Sequence, residues 1–288
     1  MILHYLFLAV SVAVNVTGGS INNHFSKEKT ISAADKYTFN IASSVASFLI
    51  AFIFASTRHI SLYTLVMGIL FGILNGGSVL ARTFALSEGP LSLTTLIGCC
   101  GMLIPTVAGM LFWKEEISLL QIIGIVLMIV ALSLVVGVKK DKKFSVKWVI
   151  YSFTQFLCIG CISIMQKLQQ GSAYAQESGG FLMTAFVVSA LINVLMLTVT
   201  LKKSDAKTSR NPRWAFGFLT GGCNGINNVF NLALAGMLPA VVFFPMVNGG
   251  GILLMGLSGC LLFGEKCTCR QWIGFLLGTA SILMIGLG

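Results

Sequence analysis

Acidic residues are the scarcest feature of this 288-residue chain, with nine carboxylates set against 19 lysines and arginines. Charged residues of both signs make up 10% of it, against roughly 25% in a soluble domain, whose surface must be hydrated. Such a composition excludes a water-facing surface over most of the molecule. No Ser/His/Asp, HExxH or paired-carboxylate constellation occurs, which argues against an enzyme and leaves no catalytic residue to name. No GxxxxGK[ST] occurs either, so the chain does not bind ATP through a phosphate loop of its own. The first apolar segment, Ile2 to Ile21, has no basic stretch ahead of it. It also exceeds the ~7–15-residue apolar core of a signal peptide, and it reads as a membrane helix.

What the chain has in quantity is apolar sequence: 56% hydrophobic residues and a mean hydropathy of +0.90. Apolar segments fall at about 2–22, 38–56, 61–87, 90–113, 118–138, 146–168, 180–201, 213–236, 239–263 and 269–287. A spanning helix takes about 20 residues at 1.5 Å rise each. The expectation is an all-α integral membrane protein of ten transmembrane helices, multi-pass in the cell membrane, with the lipid bilayer as its main solvent. Pro90 and Pro239 open segments, where a proline costs a helix nothing. Pro105 and Pro245 lie inside segments and should kink them.

Cysteines number eight. Cys99, Cys100, Cys158, Cys161, Cys223 and Cys260 lie in apolar segments, where cysteine behaves as a small hydrophobe. Cys158 and Cys161 form a CxxC on a helix, and Cys267 and Cys269 a CxC in a loop. Neither has a second pair or histidines at zinc spacing, so no metal site and no cofactor is expected.

Internal repetition is the strongest signal. Gly68, Gly72 and Gly76 form a GxxxGxxxG series that returns as Gly217, Gly221 and Gly225, each 149 positions later. Asn75 maps onto Asn224 and Pro90 onto Pro239 at that offset. After a one-residue slip, Glu115, Gln121 and Gly124 map onto Glu265, Gln271 and Gly274. The chain therefore divides into a first five-helix repeat (1–138), a basic linker (139–145) and a second repeat (146–288). Five helices per repeat is an odd number, so the second copy enters the membrane from the opposite side, giving two inverted repeats.

Lysine and arginine placement sets the orientation. Connections after odd-numbered segments hold Lys27, Lys29, Lys36, Lys139, Lys140, Lys142, Lys143, Lys147, Lys202, Lys203, Lys207, Arg210, Arg213, Lys266 and Arg270. Those after even-numbered segments hold Arg58 and Lys114, with Lys167 near the end of segment 6. This bias puts both termini outside the cytoplasm. The net charge of +10 is then a collar against anionic lipid heads rather than a nucleic-acid surface.

The stretch NGGSVLARTFALSEGPLSLTTLIGCCGMLIPTVAGMLFWKEEISLLQIIG and its second copy, NGINNVFNLALAGMLPAVVFFPMVNGGGILLMGLSGCLLFGEKCTCRQWIG, carry a recognisable pattern. An apolar helix ends near a glutamate, and a Thr/Ser-x-x-Gln-x-x-Gly stretch opens the next one. Both copies resemble the EamA-type repeat of the drug/metabolite transporter superfamily, with segments 1, 2, 6 and 7 matching weakly. That resemblance implies a ten-helix carrier of small metabolites or drugs. Ten-helix members usually keep both termini in the cytoplasm, the reverse of the charge bias here, so transport direction is not carried over.

The repeated residues also have packing readings. Ser118-x-x-Gln121 and Thr268-x-x-Gln271 read as capping boxes, with Glu115 and Glu265 near the positive helix ends. The glycine series lets helices approach closely, which places segments 3 and 8 near the pseudo-symmetry axis. More pointed are the polar stripes. Asn75, Ser78 and Arg82 share one helical face, and Asn224, Asn227 and Asn231 repeat that spacing, with Asn228 beside them. Polar groups at membrane depth must pair or line a wet cavity, so these residues are expected to contact a small-molecule substrate. Asn15 and Asn23 on segment 1, Gln155 and Gln166 on segment 6, and Asn248, which precedes three glycines, support them. Trp113, Trp148, Trp214 and Trp272 lie near segment ends and read as interfacial anchors. His4 and His24 flank segment 1 and read as interfacial too.

All nine carboxylates fall in connections or at segment ends, which argues against an exporter of cationic drugs with a central acid. Arg82 favours a carboxylate on the cargo. The expected function is a secondary carrier of a small neutral, zwitterionic or anionic metabolite, such as an amino acid or organic acid, working by alternating access. The rivals are a multidrug exporter of the same family, a passive channel and a non-transporting scaffold. A homodimer is compatible with either reading.

Overall fold

The computed structural model describes residues 2–26, 33–57, 59–88, 91–136, 145–203, 214–262 and 268–288. Every regular element among them is helical: α1 (Ile2–Ser26), α2 (Ala33–Ile53), α3 (Leu62–Glu88), α4 (Leu91–Cys100), α5 (Leu103–Phe112), α6 (Leu119–Val136), α7 (Val146–Gln170), α8 (Ser178–Lys203), α9 (Trp214–Met237), α10 (Ala240–Phe244), α11 (Gly250–Leu262) and α12 (Cys269–Leu287). A 3-10 turn, Ala175–Glu177, leads into α8, and a π-helical turn, Pro245–Gly249, joins α10 to α11. Among the described residues, six stretches are long and apolar enough to cross a membrane: Ala34–Ile53, Leu62–Arg82, Leu119–Val136, Val146–Gln170, Ala175–Lys202 and Cys269–Leu287. Their outer faces carry large apolar side chains such as Leu119 and Leu276, both more than 70% exposed, a surface suited to lipid rather than water. Glu265, Cys267, Pro90 and all of the basic linker except Ser145 lie outside the described residues.

Two compact units form, and neither coincides with a sequence repeat. The first comprises Met1–Gly76 and Leu168–Ala233, the second Gly77–Lys167 and Leu234–Gly288. Each therefore draws on both halves of the chain.

In the first unit α2 packs on α8, and the glycine series explain how α3 and α9 join them. A Cβ added at Gly72 would stand 2.7 Å from the Ala185 carbonyl oxygen of α8, and one at Gly217 2.7 Å from the Phe39 carbonyl oxygen of α2. Gly68 and Gly76 lie against Thr184 and Ile192, Gly221 and Gly225 against Ser43 and Ser47. Bare backbone is what permits this approach, since association within lipid rests on close packing rather than on expulsion of water. Phe71 meets Phe181 edge-on at 5.0 Å between ring centroids.

In the second unit α6 packs on α12, and the contact is reciprocal between repeat positions. Gly124 of α6 lies against Ile285 of α12, and Gly274 of α12 against Val135 of α6. Ser281 Oγ donates to the Gly124 carbonyl at 2.7 Å. Both expected capping boxes are present. Ser118 N donates to Gln121 Oε1 at 3.0 Å while Gln121 N donates to Ser118 Oγ at 3.1 Å. Thr268 and Gln271 do the same at the start of α12.

Two expectations need correction. Cys260, read as a small hydrophobe, is disulfide-bonded. Trp148 is buried, and its Nε1 donates to Thr94 Oγ1 at 2.9 Å, so it is a packed side chain rather than an interfacial anchor. Trp214 and Trp272, at 52% and 44% exposure, keep the expected surface position. The segment at 90–113 is broken as expected just ahead of Pro105, α4 and α5 meeting at the tightened turn Gly101–Met102.

Candidate functional site

The second unit contains both interrupted helices. Between α4 and α5, Gly101 N donates to Gly98 O at 3.0 Å and Met102 N to Cys99 O at 3.1 Å. These tightened turns leave α5 to restart at Leu103. Between α10 and α11, Pro245 has no N–H to give a regular helix, and the Pro245–Gly249 turn adopts π geometry through Asn248. Single π turns recur at functional sites. Helix α10 packs on α5, so the two interrupted stretches are neighbours. Asn248 is half-buried at this turn.

Helix α7 passes close to α4. The Gln155 amide lies flat against Gly98, where an added Cβ would meet Gln155 Nε2 at 2.5 Å. Gln155 is 4% exposed and Ser152, one turn earlier, is 0% exposed. Among the described residues, neither Gln155 Oε1 nor Ser152 Oγ has a hydrogen-bond partner. Gln166 is buried further along the same helix. Arg82, near the end of α3, is exposed, and Ser78 lies one turn before it, half-buried.

Glu115 is more than a residue near a cap. Lys114 takes a left-handed conformation, φ 51°, which few non-glycine residues adopt. It turns the chain so that Glu115 N donates to Gly109 O at 3.1 Å. The carboxylate then pairs with Lys167 Nζ at 3.0 Å, with both side chains under 15% exposed. Its other oxygen accepts from Val241 N in the first turn of α10 at 3.2 Å, and Lys167 also donates to Leu238 O at 2.9 Å. Gly109 makes room for it, since an added Cβ would meet Glu115 Oε2 at 2.6 Å. The pair ties the turn after α5 to the end of α7 and to the α9–α10 connection. Sequence reasoning missed it because the two charges stand 52 positions apart. The one available signal was a lysine lying apart from the basic collar.

The remaining predicted residues belong to the first unit, where most hydrogen-bond to one another or to neighbouring helices. Ser11 Oγ of α1 lies 2.8 Å from Asn227 Oδ1 and 2.6 Å from Asn231 Oδ1. One hydroxyl proton serves one acceptor, so one of these amides is turned to donate. Asn224 Nδ2 donates to Ser47 Oγ at 3.2 Å, and Asn228 Nδ2 to Asn224 O at 2.9 Å. Asn75 Nδ2 donates to Ser189 Oγ at 3.3 Å, and Asn40 pairs with Asn193 at 3.2 Å. Asn15 is half-buried on α1, and the Asn23 side chain lies outside the described residues. A further cluster, unforeseen in the sequence, surrounds Glu177, which accepts from Ser61 N at 2.8 Å and Ser61 Oγ at 2.7 Å and pairs with His59 Nδ1 at 3.0 Å. It caps the start of α3 with a negative charge, the favoured sign at a helix N-terminus.

Among the described residues, no group of three or more His, Cys, Asp or Glu side chains is placed to hold a metal ion. Fold and site together define an all-helical protein with several helices of membrane-spanning length and apolarity. No family model matches the chain. No curated protein matches it either. A solved structure described only as "Crystal structure of protein" is similar over 99% of this chain and 96% of its own, with a TM-score of 0.73 at 14% identity. At that identity the likeness shows a shared fold and nothing further.

Proposed function

We propose that the chain is a secondary carrier of the drug/metabolite transporter type, with ten spans in two inverted five-helix repeats, moving a small polar metabolite by alternating access. The observation that carries this reading is the interruption of the fourth segment of each repeat, at Gly101–Met102 and at Pro245–Gly249. Paired Gly/Pro-interrupted helices in corresponding places mark midplane substrate sites in inverted-repeat carriers. The reciprocal contacts of Gly124 and Gly274 support the same pseudo-symmetry. In this reading Ser78, Arg82, Gln155 and Asn248 meet the substrate, and the amides of the first unit chiefly hold its helices together. The test is counterflow in proteoliposomes: saturable uptake stimulated by substrate on the far side, and reduced in Arg82→Gln and Asn248→Ala.

For orientation, the charge bias places the α11–α12 connection in the cytoplasm. One observation favours the opposite arrangement: Cys260 near that connection is disulfide-bonded, and disulfides persist on the oxidising side of a membrane. Cys269, free and exposed at the start of α12, reports which holds. With the charge-biased topology, a membrane-impermeant maleimide labels Cys269 in opened vesicles and not in intact cells. Labelling of intact cells reverses the orientation.

A further inference from the structure

Helix α7 treats its hydroxyl residues unequally. Thr154 Oγ1 donates back to Ile150 O at 2.9 Å and Ser163 Oγ to Ile159 O at 3.1 Å, the usual way a helix satisfies a hydroxyl in an apolar setting. Ser152 Oγ does not, although Ser152 is fully buried. Gln155, at i+3 and so on the same face, has its Oε1 equally without a partner at 4% exposure. A buried polar group left unpaired costs about 1–3 kcal/mol. Two in consecutive turns of one helix face are a standing demand for hydrogen-bond donors. The opposing wall is built to suit. Gly98 offers no side chain, so the Gln155 amide lies against bare backbone, three residues ahead of the helix interruption at Gly101. Among the described residues no carboxylate is paired with either atom, which disfavours a net cation.

We infer that Gln155, facing Gly98 of α4, and Ser152, one turn before it on the same helix face, form a subsite for a hydrogen-bond-donating group, hydroxyl or ammonium, on a metabolite of no net positive charge. This rests on the carrier reading and narrows its cargo. Gln155 Oε1 accepts from the donor group, and Ser152 Oγ accepts or donates as that group requires. Molecules with every donor methylated are rejected, because they leave both protein atoms unpaired while adding bulk against Gly98.

The experiment measures binding to the purified full chain by calorimetry, and counterflow in proteoliposomes, with matched probes. The pairs are small amino acids against their N-trimethylated betaines, and polyols against their permethyl ethers. The expected result is binding by a donor-bearing member and not by its methylated partner. Gln155→Leu, Ser152→Ala and Gly98→Ala should each weaken that binding about tenfold; Gly98→Ala acts by displacing the amide from the opposite helix. Gln155→Glu keeps the acceptor and adds charge, so it should favour amino acids over polyols. It also serves as a second variant should Gln155→Leu fail to fold. Binding of a donor-bearing probe with no counterflow supports the subsite and sinks the carrier reading. Counterflow unchanged in Gln155→Leu and Gly98→Ala sinks the subsite and leaves the carrier, the two atoms then being satisfied by water. No binding of any donor-bearing probe to the wild type overturns the subsite.

Discussion

Replacing Lys167 with Met is expected to destabilise the protein by about 3–5 kcal/mol, because it leaves the Glu115 carboxylate buried without its counter-charge. The pair at 3.0 Å is shielded on both sides, so little water reaches either group to compensate. Glu115→Gln should cost somewhat less, since a glutamine still accepts from Val241 N while Lys167 keeps its bond to Leu238 O. The Glu115→Gln/Lys167→Gln double variant removes both charges and keeps hydrogen-bonding atoms in place. It should therefore be more stable than Lys167→Met alone. A double-mutant cycle in detergent, followed by denaturant unfolding, measures the coupling. Single variants that each unfold within 0.5 kcal/mol of wild type would show the pair to be a solvated surface contact.

Gly221→Ala and Gly222→Ala are expected to have opposite signs, although the two glycines are adjacent on α9. A Cβ at Gly221 would collide with the backbone of Ser43, carbonyl oxygen included, while a Cβ at Gly222 meets nothing within 4 Å. Backbone cannot rotate away as a side-chain tip can, so Gly221→Ala must push α9 off α2. The expected cost is about 1–3 kcal/mol or more. Gly222→Ala gains helix propensity and should be neutral or stabilising by up to about 1 kcal/mol. The same contrast holds in the first repeat. Gly72 faces the Ala185 carbonyl oxygen at 2.7 Å, whereas Gly77 has one ordinary contact, with Cys158 Sγ at 3.8 Å. Thermal unfolding of the four variants reads the pattern, and equal shifts at Gly221 and Gly222 would refute the close approach of α9 to α2.

What the sequence made legible was local or duplicated. The capping boxes at Ser118 and Thr268 formed as expected, because all their partners lie within three residues. The glycine series announced close helix packing, since small residues at four-residue spacing form a ridge without side chains. Small residues do not say which helix approaches, however, and the ridges face α8 and α2. Partnerships across long separations were illegible for a physical reason: burial creates them, and one strand of sequence carries no record of it. Ser11 meets Asn227 and Asn231 more than 200 positions away, and Trp148 meets Thr94. The polar stripe was expected to contact a substrate; in the structure amides such as Asn75 and Asn224 hydrogen-bond Ser189 and Ser47 of neighbouring helices. Gln155 looked like one polar residue among several in the sequence. What distinguishes it is an oxygen without a partner, which only the packed structure reveals.

The carrier reading turns on whether movement of a solute saturates and exchanges. The most direct measurement is counterflow of a labelled solute, drawn from amino acids, organic acids, polyols and nucleosides, into proteoliposomes loaded with the same unlabelled solute. The account predicts uptake that saturates and is accelerated by the internal solute, and that falls in Arg82→Gln and Asn248→Ala. Flux that rises linearly with concentration and ignores the internal solute would contradict it and make the protein a channel.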